Sequence, residues 1–216
     1  MIDRLQEMMA RIAELGGPVV MILVGVSVVT LAVILYKLWQ FAAAGVGRHA
    51  ALRQAVAAWD AGDRADARVA LDRSRSYLRP VIEMALSGMQ DAARLEAEAE
   101  LRFARLERGF RFLDTVAQLA PLLGLFGTVL GMITAFQALQ EAGAQVDPSV
   151  LAGGIWVALL TTAAGLAVAM PTSVVLSWFE ARMDAERVFA ASAVHTILSP
   201  GAARAAPRAQ GAPVHA

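Results

Sequence analysis

Three stretches of this chain carry no charged residue: 15–36, between Glu14 and Lys37; 115–140, between Asp114 and Glu141; and 148–179, between Asp147 and Glu180. A helix needs about 20 residues to cross a hydrocarbon core roughly 30 Å thick, and all three are long enough. The chain therefore reads as an all-α, polytopic membrane protein with transmembrane helices at 16–37, 115–139 and 150–179. The last two exceed the minimum, so tilt or extension into a cytoplasmic helical domain is expected. Composition agrees, since 57% of the 216 residues are hydrophobic, 18% are charged and the mean hydropathy is +0.54, too apolar for an ordinary soluble domain. Ala42-Ala43-Ala44 after the first span would loosely suit a signal peptidase. The apolar core is longer than a leader's and a charged helix precedes it, so it reads as a true span.

Several function classes are excluded by what is absent. The chain has no Cys, hence no disulfide framework, thiolate metal site or cysteine nucleophile. Net charge is zero, and no basic footprint for nucleic acid stands out. His49, His195 and His215 are scattered, without a second ligand at metal spacing, and read as surface residues. No phosphate-cradling glycine loop of the Walker type appears. The reading is a protein that is not an enzyme and has no cofactor or metal.

Orientation follows from Lys and Arg. Twelve Arg lie between residues 42 and 114, four follow the third span, and the 140–149 connection has none. Positive charge marks the cytoplasmic side, so the 42–114 region and the C-terminus are expected inside, and the N-terminus and the 140–149 loop outside. Residues 1–15 place Ile2, Leu5, Met9 and Ile12 on one face with charges around the rest. This predicts an amphipathic helix lying in the outer interface or packed on its own protein. The 42–114 region has helical composition, with breaks at Ala61-Gly62-Asp63, Arg79-Pro80 and Ser87-Gly88, and predicts three or four helices. Only Gly109 interrupts the run from Ala92 into the second span, which predicts one long helix continuing into the membrane. A cytoplasmic helix is expected over 180–198, and the Pro/Ala/Gly-rich 199–216 reads as a disordered tail.

The second and third spans hold the informative pattern. Pro121, Gly124, Thr128, Gly131 and Ala135 recur at intervals of three and four, opposite the bulky Leu122, Leu125, Phe126, Leu130 and Ile133. The third span repeats the device with Ala158, Thr162, Gly165, Ala169 and Thr172. Such stripes let two helices approach to backbone contact. Spacing alone leaves two readings open: plain helix association, with Thr128 and Thr162 bonded to their own i−4 carbonyls, or a polar seam whose hydroxyls meet ions or another chain's carboxylate. Pro121 and Pro171 are expected to kink their helices or, at Pro171, to end the span early. Neither span contains an ionisable residue, whereas a proton carrier in the membrane needs one. If protons pass, a partner must supply the titrating group.

APLLGLFGTVLGMITAF at 120–136 and GGIWVALLTTAAGLAVAMP at 153–171 resemble the two signature helices of the MotA/TolQ/ExbB proton-channel family, in order. Size, span number and the large region after the first span also match, and the likeness is closer to the ExbB/TolQ branch than to the four-span MotA branch. The resemblance implies a pentameric homo-oligomer in the bacterial inner membrane around a dimer of a single-span ExbD- or TolR-like partner carrying a membrane Asp. Proton passage would drive work delivered through a TonB- or TolA-like protein. It implies pore-facing roles for Thr128 and Thr162, with Gly124, Gly131, Ala158 and Gly165 along the same pathway. One position departs. Many relatives carry a Glu where this chain has Val157, within Gly154-Ile155-Trp156-Val157-Ala158-Leu159. Three explanations stand: the partner's Asp suffices with water and the threonines, the coupling ion differs, or the ring is a non-conducting scaffold.

Overall fold

The computed structural model describes residues 2–88, 91–142 and 148–200, without the side chains of 2–16, 142 and 150. All regular structure among the described residues is helical: α1 (Ile2–Ala44), α2 (Ala50–Asp60), α3 (Arg64–Asp72), α4 (Arg79–Ser87), α5 (Ala92–Glu107), α6 (Phe110–Ala142) and α7 (Pro148–Leu198). The all-α class expected from the sequence holds, and α1, α6 and α7 each contain a segment long and apolar enough to cross a membrane. α7 has 51 residues, about 77 Å at 1.5 Å per residue, more than twice a hydrocarbon core. Charge returns along it from Glu180 onward.

α1 is two helices end to end. Gly17 has φ 63° and ψ −169°, a conformation essentially restricted to glycine, and Pro18 then opens the apolar helix, where its missing N–H costs nothing. The amphipathic face expected over 1–15 falls on side chains outside those described. Half of the 140–149 loop, residues 143–147, and nearly all of the 199–216 tail also lie outside the described residues.

The chain divides into two compact units. The first, Met1–Lys37 with Arg108–Glu180, has a thin core of Val19, Leu23, Val116, Ala120 and Ala169. Only 22%, 22% and 17% of the most apolar window in the three spans is buried. The bulky face of α6, Leu122, Leu125, Phe126, Leu130 and Ile133, is exposed, as are Trp156, Leu159 and Val174 of α7. Apolar surface on this scale has to be covered by lipid or by further chains.

The second unit, Leu38–Glu107 with Ala181–Ala216, has a denser core in which Leu52, Leu78, Val81, Ile82, Leu95, Phe103 and Met183 are all at most 2% exposed. Trp59 Nε1–H donates to the Ile197 carbonyl at 3.2 Å, tying α2 to the end of α7. Gly62 (φ 89°) and Gly88 (φ 69°) occupy the left-handed region at two of the expected breaks. One expectation is corrected: α5 does not continue into the second span. It stops at Glu107, Gly109 takes φ 96° and α6 begins at Phe110. A left-handed residue ends an α-helix, and glycine takes that conformation without a Cβ penalty. Of α6 and α7, only α7 carries a long charged extension.

α3 opens on Asp63, whose carboxylate accepts the N–H groups of Ala65 (3.1 Å) and Asp66 (3.0 Å). Losing an N-cap of this kind costs about 1 kcal/mol. Asp63→Ala should therefore speed amide exchange at residues 65 and 66 roughly fivefold, read by hydrogen–deuterium exchange. An unchanged rate would show that the cap does not hold the helix end.

Candidate functional site

α6 and α7 meet through their backbones. A Cβ added to Gly165 would lie 2.5 Å from the Ala120 carbonyl oxygen, one on Gly124 2.8 Å from the Thr161 carbonyl oxygen, and one on Gly131 3.3 Å from Ala158 Cα. The pairings run antiparallel, from Ala120 with Gly165 to Ala135 with Gly154. Apolar side chains gain little by leaving lipid, so contact this close, made of van der Waals packing and hydrogen bonds, is what holds helices together in a bilayer. Gly124, Gly131, Ala158 and Gly165 of the expected stripe are thus brought together. Gly127, Gly154 and Thr161, which the spacing argument did not single out, share the contact. Thr161 is 2% exposed; its Oγ1 donates to the Ala158 carbonyl at 2.7 Å, with the Gly124 carbonyl of the facing helix at 3.2 Å.

Thr128 and Thr162 are half-buried at the edge of this seam. Thr128 Oγ1 donates to the Leu125 carbonyl of its own helix at 2.6 Å, and Thr162 Oγ1 lies 3.4 Å from the Gly124 carbonyl across the seam. At about 100° per residue, each sits roughly 60–70° round from the line of contact, and in an antiparallel pair this puts both on the same flank. Val157 is turned to the other flank. There it lines a cavity of about 430 Å³ with Gly127, Leu130, Thr134, Thr161 and the Gly17-Pro18-Val19 start of the first span. Thr128 and Thr162 do not line that cavity. Pro121 and Pro171 both lie inside helices that continue past them. The expected early end at Pro171 is corrected, since α7 runs on to Leu198.

A second polar constellation, in the other unit, was not legible in the sequence. Glu186 is 2% exposed, and its carboxylate accepts three donors: His49 Nε2–H at 2.7 and 2.8 Å to the two oxygens, the Tyr77 hydroxyl at 2.8 Å and the Gly47 N–H at 2.9 Å. Burial alone would raise the Glu186 pKa. The hydrogen bonds from His49 and Tyr77 outweigh it and hold the pKa below the ordinary carboxylate value, so Glu186 is ionised at neutral pH. Burial and the neighbouring carboxylate push the Tyr77 hydroxyl well above its usual value, keeping it a donor. His49, expected at the surface, is 4% exposed and stacks on Phe189 at 4.4 Å. Among the described residues no group of acidic or histidine side chains could hold a metal ion.

The fold defines an all-helical membrane protein with three helices long and apolar enough to span a bilayer. The chain belongs to the MotA/TolQ/ExbB proton channel family, whose model matches residues 68–189. It is of the ExbB/TolQ-like branch. It is 35% identical over 125 residues to a biopolymer transport protein ExbB homolog of Methanothermobacter thermautotrophicus, covering 54% of this chain and 44% of that one. It is 48% identical over 63 residues to the biopolymer transport protein exbB1 of Vibrio cholerae, covering 29% and 28%. With the Tol-Pal system protein TolQ of Haemophilus influenzae the identity is 38% over 103 residues, covering 48% and 44%. The chain thus spans less than half the length of the curated relatives it matches.

The seam makes a sharp stability contrast. Gly165→Ala puts a methyl against backbone, while Gly25, within the first span, has nothing within 4 Å of an added Cβ. Overpacking of this kind costs about 1–3 kcal/mol. Gly165→Ala should lower the thermal unfolding midpoint of the detergent-solubilised protein and Gly25→Ala should not; equal midpoints would contradict the close seam.

Proposed function

We propose that this chain is the inner-membrane ring subunit of a proton-driven motor of the ExbB–ExbD or TolQ–TolR type, energising transport or work at the outer membrane. The observation that carries this reading is the α6–α7 hairpin. It sets two hydroxyls, Thr128 and Thr162, on one flank, and neither 115–140 nor 148–179 contains an ionisable residue. Hydroxyls can solvate a moving proton but cannot store one at neutral pH. The titrating group then comes from outside the chain, as from the membrane Asp of a single-span ExbD- or TolR-like partner. A pentamer around that partner would cover much of the bare apolar surface, with lipid covering the rest. The Arg-rich 42–114 segment and the 180–198 helix would face the cytoplasm and the N-terminus the periplasm. A TonB- or TolA-like protein would receive the motion.

Val157 bears on the alternative readings. An apolar residue where many relatives carry Glu favours a non-conducting scaffold of the same fold or coupling to another ion. Against this, Val157 lies on the cavity flank, away from Thr128 and Thr162, so its lack of a carboxylate leaves the hydroxyl flank as it is.

The test is proton flux in proteoliposomes containing the chain with its co-purified partner. A hydrogen bond to a charged group is worth about 1.5–3 kcal/mol, or roughly ten- to a hundredfold in rate. Thr162→Val should cut flux by that factor with assembly unchanged. Thr134→Val, which removes a hydroxyl on the cavity flank, should leave flux near the wild-type level. Flux indifferent to Thr162→Val would overturn the conducting reading in favour of the scaffold.

A further inference from the structure

Just beyond the first span lies a cavity of about 620 Å³ that the proposed function does not use, lined by Arg48, Arg53, Arg73 and Arg75 with His49, Ser74, Ser76 and the helix end at Ala42-Ala43. It has no acidic lining residue. Among the described residues, none of the four arginines is paired with a carboxylate. The nearest acid in sequence, Asp72, is engaged by Arg79 at 2.8 Å. Glu186 lies behind His49 with its charge already met by three donors.

The four arginine side chains are exposed, and the site beneath them is fixed by the fold. Its loop turns on Gly45 (φ 69°) and Gly47 (φ 79°), and the Gly47 N–H is anchored on Glu186. A Cβ on Gly47 would collide with the Arg182 guanidinium. The floor is polar and buried: Ser74 is 5% exposed and Ser76 6%. Ser74 Oγ accepts the Ser76 N–H at 3.2 Å.

Its depth is marked along α1. Tyr36 and Trp39 are 56% and 67% exposed, and exposed Tyr and Trp at the end of an apolar span sit at the headgroup level. One turn further along the same helix, Ala42 and Ala43 open into the cavity. Four guanidiniums without a carboxylate partner, that of Arg53 lying over the Phe189 ring at 5.7 Å, match a phosphodiester at that level in both charge and geometry, and basic pockets beside spanning helices take lipid headgroups.

We propose that this cavity binds the phosphate of an anionic phospholipid headgroup from the leaflet on the Arg-rich side. The inference rests on the chain spanning the membrane and is independent of whether the ring conducts.

The test is native mass spectrometry of the full-length, delipidated protein titrated with dioctanoyl phosphatidylglycerol, dioctanoyl phosphatidylcholine or inorganic phosphate. The expected result is saturable phosphatidylglycerol binding, little phosphatidylcholine binding, and no displacement by millimolar phosphate. Each arginine near an anionic headgroup contributes about fivefold in affinity. Arg48→Gln/Arg73→Gln/Arg75→Gln should therefore weaken phosphatidylglycerol binding about a hundredfold. Arg68→Gln/Arg94→Gln/Arg105→Gln, which removes the same charge from exposed positions elsewhere, should not. Equal binding of the two lipids by the wild-type protein would overturn the proposal. So would equal losses in the two triple variants, which means general surface attraction, or displacement by inorganic phosphate, which means a site for a soluble anion.

Discussion

The contact between the α6 and α7 backbones at Gly124, Gly131 and Gly165 constrains everything else in the membrane unit. In lipid there is little hydrophobic gain in pairing apolar helices, so a hairpin of two long spans depends on approach close enough for dispersion and for Thr161 to reach across to the Gly124 carbonyl. Side chains that permit this approach are small, which pushes every large one outward. Leu122, Phe126, Trp156 and Leu159 are more than half exposed for that reason. The seam thus fixes both what is packed within one chain and what is left for lipid and other chains to cover.

The second unit is held by different physics. Its core is apolar and closely packed, and its buried polar centre is an ionised carboxylate with three donors. Such a group costs a great deal to bury without partners and little with them. Glu186 therefore ties α7 to the loop after the first span, two segments far apart in sequence. That tie orders the glycine-rich loop beside which the four arginines gather.

Much of this was legible in the sequence, and what was not has identifiable causes. The spans were visible because charge is absent from them. The turns at Gly62 and Gly88 were visible because glycine sits between helical patterns. The small residues of the stripe lie in the contact as the spacing allowed, but intervals of three and four fit both Thr128 and Gly127, and spacing does not say which of the two touches. Gly109 was read as a tolerated glycine because the helical composition runs unbroken on both sides, and its left-handed φ has no sequence signature. Pro171 was given too much weight as a terminator, since a helix tolerates a proline in the membrane when its neighbours stay packed. His49 looked like a surface residue because its partner Glu186 is 137 positions away.

The central claim is that this hairpin is built to be completed by other chains: copies of itself and a single-span partner that brings the titrating carboxylate. Native mass spectrometry of the complex purified in mild detergent from its own membranes, with peptide sequencing of whatever accompanies it, tests that most directly. The account predicts five copies of this chain with two of a single-span protein carrying an Asp within its span. A monomer, or a ring without such a partner, would contradict it.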